Sequence, residues 1–242
     1  MTKLSINVNK IATLRNSRGG DTPDVIRFAQ ECERFGADGI SVHPWPDERH
    51  IRLSDVYRLR QVLTTDLNIE GYPSLEFMAM VKNVKPAQAT LMPDSPTQLT
   101  SNVGWNTEEH VELLTDVIAE IKDAGIRTSV FVSADKRMVE FAARAGADRV
   151  ELYAGAFVRQ KQDADAGEIL RQYADAAAYA HSLGLCVNAG HELDLRNLDL
   201  FLQYVPWVEE VSIGHAFICD VLYWGLERTV QEYKKVTNKK RN

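Results

Sequence analysis

Four apolar stretches of this chain end on an ionisable residue beside a glycine or proline. They are Gly39-Ile40-Ser41-Val42-His43-Pro44, Leu67-Asn68-Ile69-Glu70-Gly71, Leu185-Cys186-Val187-Asn188-Ala189-Gly190-His191 and Val211-Ser212-Ile213-Gly214-His215. Each reads as a buried β-strand with the polar residue at its carboxyl end. In a parallel α/β protein all such ends open on one face. Imidazole titrates near neutral pH, and desolvation raises a carboxyl group's pKa, so His43, Glu70 and His191 suit acid–base chemistry. Taken singly, His43 is also explained as a satisfied strand-end histidine, and Glu70 as the partner of Arg49 or Arg52. Gly190 lets the backbone approach a ligand beside His191. Gly214-His215 opens a helix after the last strand, where free N–H groups and the helix dipole favour an anion. His215 reads equally as a ligand contact or a helix cap.

Other polar residues fall near the same ends. Asn7 and Asn9 frame the close of the first strand. Thr13 to Gly20 then supplies Arg15 and Arg18 before a glycine pair; an arginine fork fits phosphate, though a surface turn explains the segment too. His50 follows the second strand and is unremarkable alone, while His110 and His181 fall on helices and read as surface residues. Glu151 and Tyr153 share one strand face, and Glu151 needs a partner there, such as Lys10 or an arginine. Three histidines and a glutamate could ligate zinc, but no H-E-x-x-H or first-strand H-x-H is present, and no metal is expected.

Strand-like segments at about 4–8, 38–42, 67–70, 88–92, 127–132, 148–153, 185–189 and 210–213 position these residues. Between them lie helical patterns at 23–35, 55–63, 74–82, 107–123, 136–145, 164–182, 195–204 and 216–235. Asp21 or Thr22 is the expected N-cap of the first of these, with Pro23 in its first turn. Strict alternation predicts a single-domain α/β (β/α)8 TIM barrel over residues 1–242, with an open doubly wound sheet as the alternative. No G-x-G-x-x-G or G-x-x-x-x-G-K follows a strand, which weakens the sheet. A repeat supports the barrel. Phe35-Gly36-Ala37-Asp38-Gly39-Ile40 recurs as Ala145-Gly146-Ala147-Asp148-Arg149-Val150, and Ala124-Gly125-Ile126 and Leu183-Gly184-Leu185 vary it. In each, glycine ends a helix and the chain turns straight into a strand. The longest loop, Pro93 to Asn106, carries Thr100, Gly104 and Trp105 and reads as a functional lid.

Composition narrows the class. The 242 residues are 45% hydrophobic and 26% charged, values of a soluble globular protein. A net charge of −6 argues against nucleic acid and membrane surfaces as partners. The basic run from Lys234 to Arg241 reads as a solvated helix end. No signal segment is evident, and no apolar run approaches the ~18 residues of a membrane span, so the expected compartment is cytoplasmic. Cys32, Cys186 and Cys219 match no zinc spacing or disulfide framework, and Cys186 reads as a small core residue.

Taken together, these segments resemble the pyridoxine 5'-phosphate synthase family. Asn7-Val8-Asn9-Lys10-Ile11-Ala12-Thr13-Leu14-Arg15-Asn16, Gly36-Ala37-Asp38-Gly39-Ile40-Ser41-Val42-His43, Arg49-His50-Ile51, Asn68-Ile69-Glu70, Val187-Asn188-Ala189-Gly190-His191 and Ile213-Gly214-His215-Ala216 match it in order. The resemblance implies a (β/α)8 barrel that condenses 1-deoxy-D-xylulose 5-phosphate with 3-amino-2-oxopropyl phosphate, without metal or organic cofactor, as a homo-octamer. It implies that His43 and Glu70 accept protons and His191 donates one. Asn7, Gly214 and His215 would contact the aminoketone phosphate, and Arg18, His50 and Thr100 the deoxyxylulose phosphate, under a lid holding Thr100. The chain departs from the family's usual Asp-His at Asn9-Lys10, its arginine at Trp45 and its glycine at Glu192. Lys10 is expected to replace the cation missing at Trp45, and Glu192 to alter the aminoketone contact. Two other readings stand beside this one. One is another barrel enzyme on a phosphorylated sugar, of aldolase or epimerase type, although no lysine falls in strands five to eight. The other is a non-catalytic sugar-phosphate binder, which would have no use for all three proton-handling residues.

Overall fold

The computed structural model describes residues 1–94, 101–160 and 166–240. Among these residues eight strands pair in parallel and in chain order. They are Lys3–Asn7 (β1), Gly39–Val42 (β2), Asp66–Gly71 (β3), Gln88–Leu91 (β4), Arg127–Val132 (β5), Arg149–Tyr153 (β6), Cys186–Gly190 (β7) and Val208–Ile213 (β8). β8 pairs with β1, so the sheet closes into a barrel and the open-sheet alternative falls. The helices are Asn9–Asn16 (α1), Val25–Arg34 (α2), Leu53–Val62 (α3), Leu75–Val84 (α4), Val111–Asp123 (α5), Lys136–Arg144 (α6), Gly155–Gln160 (α7), Ala166–Ser182 (α8), Leu198–Tyr204 (α9), His215–Trp224 (α10) and Leu226–Thr237 (α11). None of the described helices is long and apolar enough to cross a membrane.

Strand period decides what the barrel encloses. Leu4, Ile6, Ile40, Val42, Leu67 and Ile69 are fully or nearly fully buried in one apolar cluster with helix residues such as Ala29, Val56 and Leu59. The alternate positions hold Ser5, Ser41, Asn68, Thr90, Ser129, Glu151 and Asn188, which are buried too. Ser41 on β2 and Ser212 on β8 share a hydrogen bond of 2.9 Å although β1 lies between their strands, so this second face points into the barrel. The main core is therefore the layer between sheet and helices, and the barrel interior is largely polar, with hydrogen bonds such as that between Thr90 and Asn68 at 2.9 Å, while Ser5 Oγ and Ser129 Oγ have no partner among the described residues.

Several expected boundaries shift for local reasons. The N-cap of α2 is Asp24, whose side chain accepts from Ile26 N and Arg27 N at 2.9 and 3.2 Å, so Pro23 precedes the helix rather than entering it. The helix expected over 216–235 is two, because Gly225 at φ +79° breaks it between α10 and α11. The arginine-bearing segment after β1 is largely helical: α1 buries Ile11, Ala12 and Arg15 on one face. Cys186 is only half-buried, at the start of β7.

The glycine repeat marks the amino end of the barrel. Gly36, Gly125, Gly146 and Gly184 all have positive φ, as the turn from helix to strand requires. The aspartates of the repeat also share a role. Asp38 accepts from Leu4 N at 2.7 Å, and Asp148 accepts from Thr128 N at 2.8 Å and Thr128 Oγ1 at 2.9 Å. Each thereby satisfies the start of the preceding strand, away from the carboxyl ends. Asp148→Ala should lower the unfolding free energy by about 1–3 kcal/mol, since buried Thr128 loses its acceptor. Urea unfolding measures this, and turnover per folded molecule should stay unchanged.

Candidate active site

The carboxyl ends of the strands surround a cavity of about 610 Å³. Asn7, Asn9 and Lys10 reach it from β1 and the start of α1, His43, Trp45 and His50 from the loop after β2, and Glu70 from β3. His191 and Glu192 follow β7, and Gly214 and His215 open α10. The barrel thus brings together the candidates named from the sequence except Arg15, Arg18 and Thr100. Arg18 is exposed beyond α1 and does not line the cavity, and Thr100 lies outside the described residues. Of the expected Pro93–Asn106 lid, the described residues Ser101, Gly104 and Trp105 are buried. Trp105 is held in place, its indole N–H donating to Leu91 O at 3.0 Å and its backbone N–H to Phe131 O at 2.9 Å.

Glu70 occupies the cavity floor. It is 1% exposed, its Oε2 accepts from Asn7 Nδ2 at 3.4 Å, and its Oε1 has no partner among the described residues. Among the described residues no salt bridge joins it to an arginine: Arg49 pairs with Asp47 and Arg52 with Asp21, so the expected ion pair with either is not seen. Burial, and then the neighbouring Glu151, push its pKa up to about 8. Glu70 therefore carries its proton in the free protein at neutral pH.

The two histidines are driven in opposite directions. His43 is held neutral: burial lowers its pKa well below 6.5, and His50, His191 and Arg49 push the same way. Trp45 stacks on its ring, with centroids 4.7 Å apart and planes 17° apart. The other face of chemistry belongs to His191. Burial opposes its charge, but Glu151, Glu70 and Asp94 outweigh burial and raise its pKa. Glu151 Oε1 lies 3.5 Å from His191 Nδ1, a charge contact longer than a good hydrogen bond. Glu151 thus faces His191 and not Lys10 or an arginine. A Cβ at Gly190 would collide with Glu151 Oε1, so a side chain there would push that carboxylate from its place beside His191. His191 and Glu192 both sit at φ +65°, a left-handed conformation that costs non-glycine residues on the order of 1 kcal/mol or more.

Arg15, expected to offer its fork to phosphate, spends it on the scaffold. Its Nη1 donates to both Asp55 oxygens at 2.7 and 2.8 Å and its Nη2 to His50 O at 2.9 Å, all buried. Asn16 Nδ2 also donates to His50 O, at 2.8 Å. The loop after β2 is thereby clamped, with His50 facing the cavity. His50 Nδ1 accepts from Ile51 N at 2.9 Å, and burial, Lys10 and Arg49 lower its pKa to about 4. It is a neutral imidazole whose remaining Nε2–H is a donor for an anion. Exposed Lys10 adds a cation at that side. Gly214 caps α10 with no side-chain bond, so the free N–H groups of the first turn of this helix fall where Gly214, His215 and Ala216 line the cavity. Gly214 approaches Asn7 closely; a Cβ there would lie 3.2 Å from Asn7 Cβ. The site thus gathers groups that can face anions around an imidazole biased toward its neutral form, an imidazole biased toward its cation and a carboxyl group biased toward its acid form.

One member escaped the sequence reading. Asp94, 3% exposed, places Oδ2 3.9 Å from His43 Nδ1. Its signal was the one used for the other four, an apolar strand end, Leu91-Met92, followed by proline and an ionisable residue.

The comparisons with known proteins point the same way. A family model described as "Pyridoxal phosphate biosynthesis protein PdxJ" matches residues 4–239. A protein of Bacteroides thetaiotaomicron named pyridoxine 5'-phosphate synthase is 59% identical, over 97% of this chain and 98% of its own. One of the same name from Cytophaga hutchinsonii is 54% identical, over 99% and 100%. Among solved structures, a 3-keto-L-gulonate-6-phosphate decarboxylase from Vibrio cholerae superposes with a TM-score of 0.69 over 98% of this chain and 97% of that one; at 10% identity it shares the fold alone.

Glu70 makes stability depend on pH. Between about pH 4.5 and 8 the folded state retains a proton that the unfolded chain has released, so stability falls as pH rises through that window. Glu70→Gln removes the penalty. The variant should gain on the wild type progressively from pH 5 to pH 9, by on the order of 2–4 kcal/mol at the upper end. A stability difference that stays flat across that range in denaturant titrations would contradict the assignment.

Proposed function

The chain belongs to the PdxJ family of pyridoxal phosphate biosynthesis proteins, and we infer from that premise that it is a pyridoxine 5'-phosphate synthase. It condenses 1-deoxy-D-xylulose 5-phosphate with 3-amino-2-oxopropyl phosphate, releasing pyridoxine 5'-phosphate, inorganic phosphate and water. The observation that carries the residue roles is the opposed tuning of the two histidines around Glu70. Groups whose surroundings push their protonation apart mark the acid and the base.

Neutral His43 accepts a proton from the substrate, and charged His191 donates one to a leaving oxygen. Glu70 lies between these tasks. Once its proton is given up it becomes the second acceptor, and its pKa near 8 lets it cycle at working pH. Imine formation, phosphate loss, carbon–carbon bond formation and dehydration each move a proton, which a set of such groups around one cavity can serve. Asn7, Gly214 and His215, with the free N–H groups of α10, receive the aminoketone phosphate. Lys10 and His50 receive the deoxyxylulose phosphate, with the Trp45 indole beside them. Arg49 lies over that indole, 4.2 Å from its centroid, so a guanidinium remains close to the place where relatives carry arginine. Arg18, exposed here, takes no part in this scheme as the chain stands. Glu192 borders the aminoketone side.

The absence of lysine from β5 to β8 argues against a Schiff-base aldolase. A cytoplasmic homo-octamer is the assembly the family suggests. The exposed Leu222, Tyr223 and Trp224 at the end of α10 support association between copies.

Purified protein given both substrates should release pyridoxine 5'-phosphate and phosphate together. His191→Asn should reduce kcat by about 10²–10⁴-fold with the fold intact. Lys10→Ala should raise the KM for deoxyxylulose phosphate with little change in that for the aminoketone. No product from the wild type would remove the assignment, and an unchanged KM in Lys10→Ala would remove the anion role of Lys10.

A further inference from the structure

Asp94, buried beside His43, is an ionisable group to which the scheme above gives no task. We propose that Asp94 is a positioning residue for His43: its carboxylate receives the Nδ1–H of the imidazole, fixes that tautomer and leaves the Nε2 lone pair aimed at the substrate. This rests on the reading of His43 as the proton acceptor.

The geometry constrains His43 from every other side. Its backbone N–H donates to Asn9 Oδ1 at 3.0 Å, which fixes where the side chain starts. The Trp45 indole stacks on one face of the ring. His43 Nδ1 lies 3.9 Å from Asp94 Oδ2, and both side chains are almost wholly buried, 7% and 1% exposed. The carboxylate is itself oriented, since the Ser101 hydroxyl donates to the same Oδ2. Among the described residues its buried Oδ1 has no hydrogen-bond partner. A neutral imidazole has one N–H and one lone pair, and either nitrogen can hold the proton. A base needs the lone pair on the nitrogen that meets substrate, so a carboxylate at Nδ1 selects the productive form. The separation of 3.9 Å is too long for a hydrogen bond in the empty site. Such contacts commonly shorten when substrate fills the cavity.

The experiment reads the tautomer directly. In ¹⁵N-labelled full-length protein without substrates, His43 should show a protonated Nδ1 and an unprotonated Nε2 by two-bond nitrogen–proton correlation. Asp94→Asn should lose that preference and lower kcat by roughly 10²–10⁴-fold with little change in either KM, the pattern of a base held in the wrong tautomer. Asp94→Glu, whose added methylene spans part of the gap, should restore the Nδ1–H form and most of the turnover. A wild-type His43 protonated on Nε2, or an Asp94→Asn protein with wild-type tautomer and kcat, would overturn the proposal. Were Asp94→Asn not to fold, the wild-type spectrum and Asp94→Glu decide it alone. Failure of the synthase reading shows separately, as no product from the wild type, whereas the tautomer is read without turnover.

Discussion

Three carboxyl groups, Glu70, Asp94 and Glu151, are buried with two imidazoles at one end of the barrel. The described residues give none of the three an arginine or lysine ion pair. A buried carboxylate without a counter-charge is costly, and protonation is the usual escape. Here protons do the work that salt bridges do elsewhere. Glu70 keeps one, and His191 takes one up to face the acids. His43, beyond Glu70 and beside other imidazoles and Arg49, stays neutral. The distribution of protons that suits catalysis is thus the same one that makes the cluster tolerable in the folded state.

The rest of the structure reads as support for that cluster. Asn7 touches Glu70 through its amide and accepts Asn9 N through its carbonyl at 3.0 Å, while Asn9 in turn anchors His43. Two asparagines at the end of β1 therefore tie β1, β2 and β3 together at the depth of the chemistry. The buried Arg15–Asp55 pair holds the loop that carries His50, and Asp55 also accepts Arg52 N at 2.8 Å at the start of α3. Full satisfaction of these groups offsets their desolvation, so that ion pair serves placement more than net stability. By contrast, the aspartates of the glycine repeat act at the far end, where no chemistry competes with them.

Periodicity carried the barrel, because eight apolar runs alternating with amphipathic ones leave few ways to cover a parallel sheet. The four strand endings carried most of the site for the same reason. What stayed hidden depended on contacts distant in sequence. Arg15 looked like a phosphate fork until Asp55, forty residues away, was seen to fill it. Glu151 needed a partner, but only barrel closure shows that the partner is His191, brought alongside by the β6–β7 register that sets Tyr153 opposite Gly190. Asp94 fitted the opening pattern yet was absorbed into a long loop, since proline after β4 reads as a loop start. The break at Gly225 was missed because apolar spacing continues through it.

The positions at which this chain differs from the family's usual pattern lie close to the crowded acids. The Oδ1 of Asn9 is needed to accept the His43 N–H, and aspartate, usual there in the family, would accept it equally well. An aspartate would also add another carboxylate to a mouth already crowded with acids, Glu70, Asp94 and Glu151 among them; asparagine keeps the hydrogen bond without the charge. Lys10 and Trp45 redistribute the cations in the same region. Lys10 faces His50 from α1, while Arg49 lies on the outer side of the site, over an indole that also packs His43. Glu192 is the departure with an evident cost, since it holds a left-handed backbone that glycine adopts freely. Its carboxylate borders the cavity next to His191, where a cation is already favoured by three acids. The strain is tolerable because the loop it sits in is fixed on both sides, by Gly190 against Glu151 and by Asn197 Nδ2 donating to Glu192 O at 3.1 Å.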